Sequence, residues 1–347
     1  MLKSPFVWFG GKRKVAAEVW DALGDVDNYV EPFAGSLAVL LARPHDLTDG
    51  SRRAETVNDA DGFLVNFWRA VKHAPHEVAE HCSDPVNETD LFARHMWLVN
   101  TGRERIAQLE NDPDWFDAKV AGWWVWGVNA WIGSGWCAGT GPWRPNEDPR
   151  QRPHLGDAGQ GVNRQLPHLG DAGQGVNRKL PHLGNAGQAG FNNLDIRRQG
   201  IGEYMGQLAQ RLADVRVCAG DWTRVVTAGA LAYGATVGVF LDPPYSGDVR
   251  TSDLYAVDDH DIAVNCRQWA LDNASPRVRV VLAGYRDEHD PRIPADWRRV
   301  TWTAGAAYQT AAGSGGNRDR RTQECLWLSP SCARTATLFD GIDPWWP

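Results

Sequence analysis

The sequence has no stretch approaching the roughly 20 uninterrupted apolar residues that a membrane span requires, and its start, MLKSPFVWFGGKRK, lacks the apolar segment of a secretory signal. A soluble, cytoplasmic protein with no membrane partner is therefore expected. The six cysteines, Cys82, Cys137, Cys218, Cys266, Cys325 and Cys332, include no CxxC pair. That argues against a zinc site or a disulfide framework and leaves buried free thiols as the expectation. An excess of positive charge is missing too, since 36 Lys and Arg face 43 Asp and Glu for a net charge of -7. A phosphate-binding protein usually carries a basic face, so only a local patch could serve one here.

What is present is a chain of 347 residues with 43% apolar content, enough for one large core and a small second lobe. Tryptophan is abundant, with 18 copies, many crowded into Trp115, Trp123, Trp124, Trp126, Trp131, Trp136 and Trp143. Two readings stand for this crowding: a core of large rings, or a platform on which an unpaired base stacks.

The spacing of Val15, Ala16, Val19, Trp20 and Leu23 predicts an amphipathic helix over Lys12 to Leu23, ended by Gly24. Short apolar runs bounded by turn residues read as strands at Tyr29 to Phe33, Ala54 to Val57, Val215 to Ala219, Thr236 to Leu241 and Arg277 to Ala283. Helical stretches at Asp61 to Val71, Glu203 to Leu212 and Asp258 to Leu271 lie between them. Such alternation predicts an α/β open sheet, largely parallel and covered on both faces. It breaks down between residues 74 and 202, where Trp, Gly, Pro and Asn accumulate. The expected organisation is a catalytic domain in two parts, 1–73 and 203–347, interrupted by an inserted lobe over 74–202.

Inside the insertion a unit of 14 residues recurs: PHLGDAGQGVNRQL from Pro153, PHLGDAGQGVNRKL from Pro167 and PHLGNAGQAGFNNL from Pro181. The period is too short for the common solenoids, and its Gly and Asn content suits turns. Repetition alone explains the spacing of His154, His168 and His182, so no metal is expected. From 144 to 198 the chain carries seven Arg and one Lys against five acidic residues. A mildly basic segment of this kind could follow a phosphate backbone, or simply be a solvated loop.

Open α/β sheets bind ligands beyond the carboxyl ends of their strands, so the residues that follow each strand are the ones to inspect. The first strand runs into Glu31-Pro32-Phe33-Ala34-Gly35-Ser36, an acidic residue before a glycine turn that lets a ligand approach the backbone. The second ends at Asn58-Asp59, where a carboxylate is placed either for the hydroxyls of a ribose or for a helix N-cap. The third ends at Gly220-Asp221-Trp222, where a carboxylate could take an adenine amine and an indole could cover the ring.

The fourth strand ends in Asp242-Pro243-Pro244-Tyr245. Two prolines fix φ and remove two backbone donors, which makes a rigid turn with outward carbonyls. A carboxylate and a carbonyl then converge on one spot beside an aromatic ring, a pocket for a planar group bearing an NH2. If Asp242 and the Pro243 carbonyl each accept one N–H of adenine, the amine lone pair is aimed at an incoming methyl, while Tyr245 stacks on the base. Displacement then requires alignment and electrostatics, with no covalent protein intermediate. The base must first be extruded from its duplex.

With these motifs in order, the chain resembles the Dam-type DNA adenine N6-methyltransferases of the alpha group, over residues 1 to 72 and 203 to 330. The likeness is carried by Trp8-Phe9-Gly10-Gly11-Lys12, Glu31 to Ser36, Asn58-Asp59, Gly220-Asp221, Asp242 to Tyr245, and RTQECLWL from Arg321 to Leu328. It implies a Rossmann-like class I methyltransferase sheet, S-adenosylmethionine as cofactor, and double-stranded DNA as partner through the inserted recognition lobe. Cofactor contacts are implied for Trp8, Phe9, Gly10, Gly11, Lys12, Glu31, Phe33, Gly35, Asp59, Asp221, Trp222 and Asp242, with Asp242, Pro243, Pro244 and Tyr245 as the catalytic set. Leu37 departs from the pattern, standing where the family often has another glycine, so an earlier helix start and a different cofactor turn are expected. The triplicated insertion matches no familiar recognition lobe, and no residue pattern points to a restriction nuclease as partner. Two other readings remain open: methylation of cytosine N4 or of an RNA adenine by the same pocket, and a cofactor-binding protein without turnover.

Overall fold

The computed structural model describes residues 2–6, 8, 11–44, 53–131, 136–137, 194–244, 259–301 and 324–333. The 14-residue repeats lie outside them, as do Phe9, Gly10 and Tyr245. In chain order the elements are α1 (Ala16–Leu23), β1 (Asn28–Glu31), β2 (Ala54–Asp59), α2 (Gly62–His73), α3 (Pro75–Cys82), α4 (Glu88–Trp97), α5 (Arg103–Ile106) and α6 (Ala118–Ala130). They continue with α7 (Leu194–Leu212), β3 (Val215–Ala219), β4 (Val237–Leu241), α8 (Asp259–Asn273), β5 (Val278–Tyr285), α9 (Arg286–His289), β6 (Arg298–Thr301) and β7 (Glu324–Leu328).

Among the described residues the strands form a seven-stranded sheet in the order β3-β2-β1-β4-β5-β7-β6. The five expected strands pair in parallel, and β7 joins β5 antiparallel with β6 beyond it. This is the mostly parallel α/β sheet expected from the sequence. Two of the differences in element boundaries have plain local reasons. Strand β1 stops at Glu31 because Pro32 has no N–H for the ladder. The predicted first helix divides into a 3-10 turn over Lys12–Lys14 and an α-helix from Ala16, because Val15 takes a non-helical backbone between them. That break lets Lys12 turn inward.

Side chains alternate across the central strands, as the period of a pleated strand requires. Tyr29, Phe240 and Val281 face one apolar layer with α1, α2, α6 and α7, while Val30, Val239, Leu241, Val280 and Leu282 face a second with α8 and Trp222. Among the described residues strand β3 is an edge, and three cations occupy its outward carbonyls. Lys72 Nζ donates to Val215 (2.9 Å), Arg69 Nε to Val217 (3.3 Å) and Arg224 Nη1 to Ala219 (2.7 Å). Charged caps of this kind deny the edge to another strand.

Residues 75–131, the first part of the expected insertion, share the first apolar layer rather than forming a core apart from it. Val78, Ala79 and Cys82 of α3 and Val120, Trp124 and Val125 of α6 are buried in the same cluster as Leu64, Phe67 and Trp68 of α2. A buried polar clasp fixes α6 on α2: Asn66 Nδ2 donates to the Asp117 carbonyl (3.0 Å) and the Asp117 N–H to Asn66 Oδ1 (2.7 Å). The Asp117 side chain also caps α6 by accepting from the Val120 N–H. Among the described residues Trp123, Trp124, Trp126, Trp131 and Trp136 thus belong to or pack on the core, while Trp143 lies outside the described residues. Trp124, Trp126 and Trp131 are buried, and Trp136 packs so closely on Gly127 that a Cβ there would overlap its ring. The cysteines are free thiols, all buried except the half-buried Cys218. Among the described residues no helix is long and apolar enough to cross a membrane, and no cluster of His, Cys, Asp and Glu could hold a metal.

Candidate active site

Four carboxyl strand ends, those of β3, β2, β1 and β4, stand side by side in the sheet. Hydrogen bonds stitch their outgoing loops together. Asn58 Nδ2 donates to the carbonyls of Pro32 (3.0 Å) and Gly220 (2.9 Å), the Ala34 N–H donates to the Asn58 carbonyl (2.8 Å), and the Gly220 N–H donates to that of Asp59 (2.9 Å). Asn58 Oδ1 is buried there with no donor.

The glycine turn after β1 is built on positive φ. Gly35 sits at φ +46°, and a Cβ on it would stand 2.9 Å from Trp8 Cδ1, so only glycine allows the Trp8 ring its place. The Gly35 carbonyl accepts from Trp68 Nε1 (3.0 Å). Leu37 also lies at positive φ, +55°, and is fully buried. The sequence-based expectation of an earlier helix is therefore corrected: the turn keeps a glycine-like backbone with a leucine in it, at a cost of about 1 kcal/mol that burial of the side chain offsets. Helical structure resumes only as a 3-10 turn at Leu40–Ala42.

Asp59 faces this turn. Its Oδ2 accepts from the Gly35 N–H (2.9 Å) and its Oδ1 from the Asp61 N–H (2.9 Å). Desolvation pushes its pKa up to about 6 against the pull of those backbone donors. The helix-capping role left open for Asp59 belongs instead to Asp61, which accepts from the N–H groups of Phe63 and Leu64. At the end of β3, exposed Asp221 caps its own 3-10 turn through the Thr223 N–H (2.9 Å). Trp222 is buried and stands 6.0 Å, centroid to centroid, from the half-buried Phe33 ring.

The lysine motif near the start of the chain meets Asp242 at the end of β4. Lys12 Nζ lies 2.9 Å from Asp242 Oδ1, with the lysine only 4% exposed and the aspartate 20%. The turn that carries the lysine is closed by the Gly11 N–H on the Trp8 carbonyl (3.1 Å) and the Val15 N–H on that of Lys12 (3.1 Å). A buried ammonium needs a partner, and this pairing explains why Lys12 leaves the helix. Pro243 is buried and Pro244 half-buried, which holds the corner rigid. Beside it Glu31 is 2% exposed and accepts from the Tyr29 hydroxyl (2.9 Å). Burial, reinforced by the Asp242 charge, pushes the Glu31 pKa up to about 8 although the Tyr29 hydroxyl and the Leu40 N–H pull the other way.

Of the expected site residues, Trp8, Gly11, Lys12, Glu31, Phe33, Gly35, Asp59, Asp221, Trp222, Asp242, Pro243 and Pro244 thus line this one row of strand ends. The Lys12 to Asp242 pair and the Tyr29 to Glu31 bond were not anticipated. The second carried a signal, because residues two apart on a strand share a face.

Residues 8–113 match the family model of the D12 class N6 adenine-specific DNA methyltransferases. The match identifies an adenine-specific DNA methyltransferase. Enzymes of the class take their methyl group from S-adenosylmethionine, and the match covers the glycine turn, Asp59 and the lysine that reaches Asp242. No curated protein matches the chain.

Proposed function

We propose that the row of strand ends is the methyl-transfer site itself, with Asp242, Pro243, Pro244 and Tyr245 as the catalytic set and the remaining site residues as the cradle of the methyl donor. The pairing of Lys12 with Asp242 carries this reading, because it brings the two most informative motifs to one point. The donor set fits S-adenosylmethionine. A glycine turn without room for a Cβ lets a ligand lie on the backbone, and the carboxyls of Asp59, Asp221 and Glu31 suit hydroxyls, an amine and a cation. When bound, that cofactor supplies an electrophilic methyl group on a sulfonium.

The protein's own task is to present the amine. Extruding adenine from the duplex costs a few kcal/mol in stacking and pairing. Asp242 accepts one of its N–H groups, in the hydrogen-bonding place that the Lys12 ammonium holds in the free chain, and the Pro243 carbonyl accepts the other. The amine lone pair then points away from both acceptors. Tyr245 stacks on the base. Because the pocket is rigid before the base arrives, little reorganisation accompanies the reaction.

The DNA contact is assigned to the insertion, 74–202, and within it to the basic segment 144–198. Support comes from the charge balance there, seven Arg and one Lys against five acids in an acidic protein. Two experiments test the two parts. Incubation with methyl-labelled S-adenosylmethionine and duplex DNA is expected to leave label in N6-methyladenine. A chain lacking residues 153–180 is expected to bind DNA more weakly and with a flatter salt dependence, while its cofactor affinity is unchanged. Label in N4-methylcytosine would overturn the substrate assignment, and unaltered DNA affinity would remove the repeats from the interface.

A further inference from the structure

Glu31 is a buried acid at the carboxyl end of a central strand, and it accepts hydrogen bonds from a neutral hydroxyl and a backbone N–H. Among the described residues no cation is paired with it, since the ammonium of Lys12 goes to Asp242. The charged and titratable groups around it are Tyr29 on its own strand, Asp242 with Lys12 at the end of β4, and Glu55 on β2. Glu55 is itself held by Arg43 Nη1 (3.1 Å) and Arg211 Nη1 (2.6 Å). Among the described residues no positive charge is placed to answer its own, and a cationic ligand would supply one.

We propose that Glu31 is protonated in the free protein and releases its proton to solvent when the cationic methyl donor binds, leaving a carboxylate opposite the ligand's positive charge. The step is a simple ionisation: the carboxylic O–H bond breaks, the electron pair stays on oxygen, and the buffer takes the proton. It rests on the assignment of these strand ends to the donor. The raised Glu31 pKa, about 8, sets the window. Below that value the free protein carries the proton and the complex does not, so binding strengthens as pH rises toward 8 and levels off above it.

Titration calorimetry with S-adenosylmethionine, at pH 7.0 in buffers of different ionisation enthalpy, counts the proton directly. At that pH Asp59, with its pKa near 6, is already mostly ionised, and the ligand's α-amino group is mostly charged. The wild-type chain is expected to release close to one proton per bound ligand, and its dissociation constant to fall by up to roughly tenfold from pH 6.5 to 7.5. In Glu31→Gln, which matches the neutral acid in shape, both effects are expected to vanish while binding persists more weakly. Wild-type binding with the same heat in every buffer would overturn the linkage and leave the donor site standing. A failure of the wild-type chain to bind S-adenosylmethionine would instead sink the site assignment and the linkage with it.

Discussion

Replacing Asp242 by alanine is expected to lower the rate of methyl transfer on the order of a hundredfold or more while S-adenosylmethionine affinity largely survives. The loss follows from what the carboxylate does: it accepts an N–H bond that strengthens as the adenine nitrogen turns tetrahedral, so its removal weakens the transition state more than the ground state. Asp242→Asn keeps an acceptor oxygen of the same reach and is expected to lose less. Single-turnover rates at saturating cofactor, with cofactor affinity measured separately, distinguish a chemical defect from a binding one. Normal methylation by the alanine variant would remove Asp242 from the catalytic set.

The second large effect lies well away from the chemistry. Trp124 is 2% exposed on α6, with its ring 5.3 Å from Phe6, 5.7 Å from Trp8 and 5.7 Å from Phe67. Trp8 in turn stands over Gly35, so this ring backs both the start of the lysine motif and the glycine turn. Trp124→Ala is expected to lower stability by about 3–5 kcal/mol, the range for an aromatic truncated in a core. The urea midpoint should fall with little change in slope. Cofactor affinity should fall with it under folding conditions, because Trp8 loses its support. An unchanged midpoint would contradict the packing described for α6.

Sequence foretells structure in this chain where a local pattern carries tertiary information. Strand β4 was legible because VGVFL is apolar without alternation and stops at two prolines, the mark of a strand buried on both faces. Strand β6 was not, since Arg298-Arg299-Val300-Thr301 lies at the sheet edge with mostly exposed side chains and no apolar run to betray it. The tryptophans of α6 were legible as large apolar rings but not as part of the main core. Composition shows that a helix is sticky, and only the clasp between Asn66 and Asp117 shows what it sticks to. Leu37 illustrates the converse. Its departure from a glycine pattern suggested a different turn, yet full burial of its side chain holds the backbone at φ +55°. The pairing of Lys12 with Asp242 joins residues far apart in the chain, and nothing local at either position foretells it.

That pairing is also the point at which the central assignment is most exposed to test. A crystal structure of the chain with a non-reactive cofactor analogue and a duplex containing its target adenine answers the question directly. The adenine N6 is expected within hydrogen-bonding distance of both the Asp242 carboxylate and the Pro243 carbonyl, with the Lys12 ammonium moved aside. An extruded base seated elsewhere, with Lys12 still bound to Asp242, would contradict it.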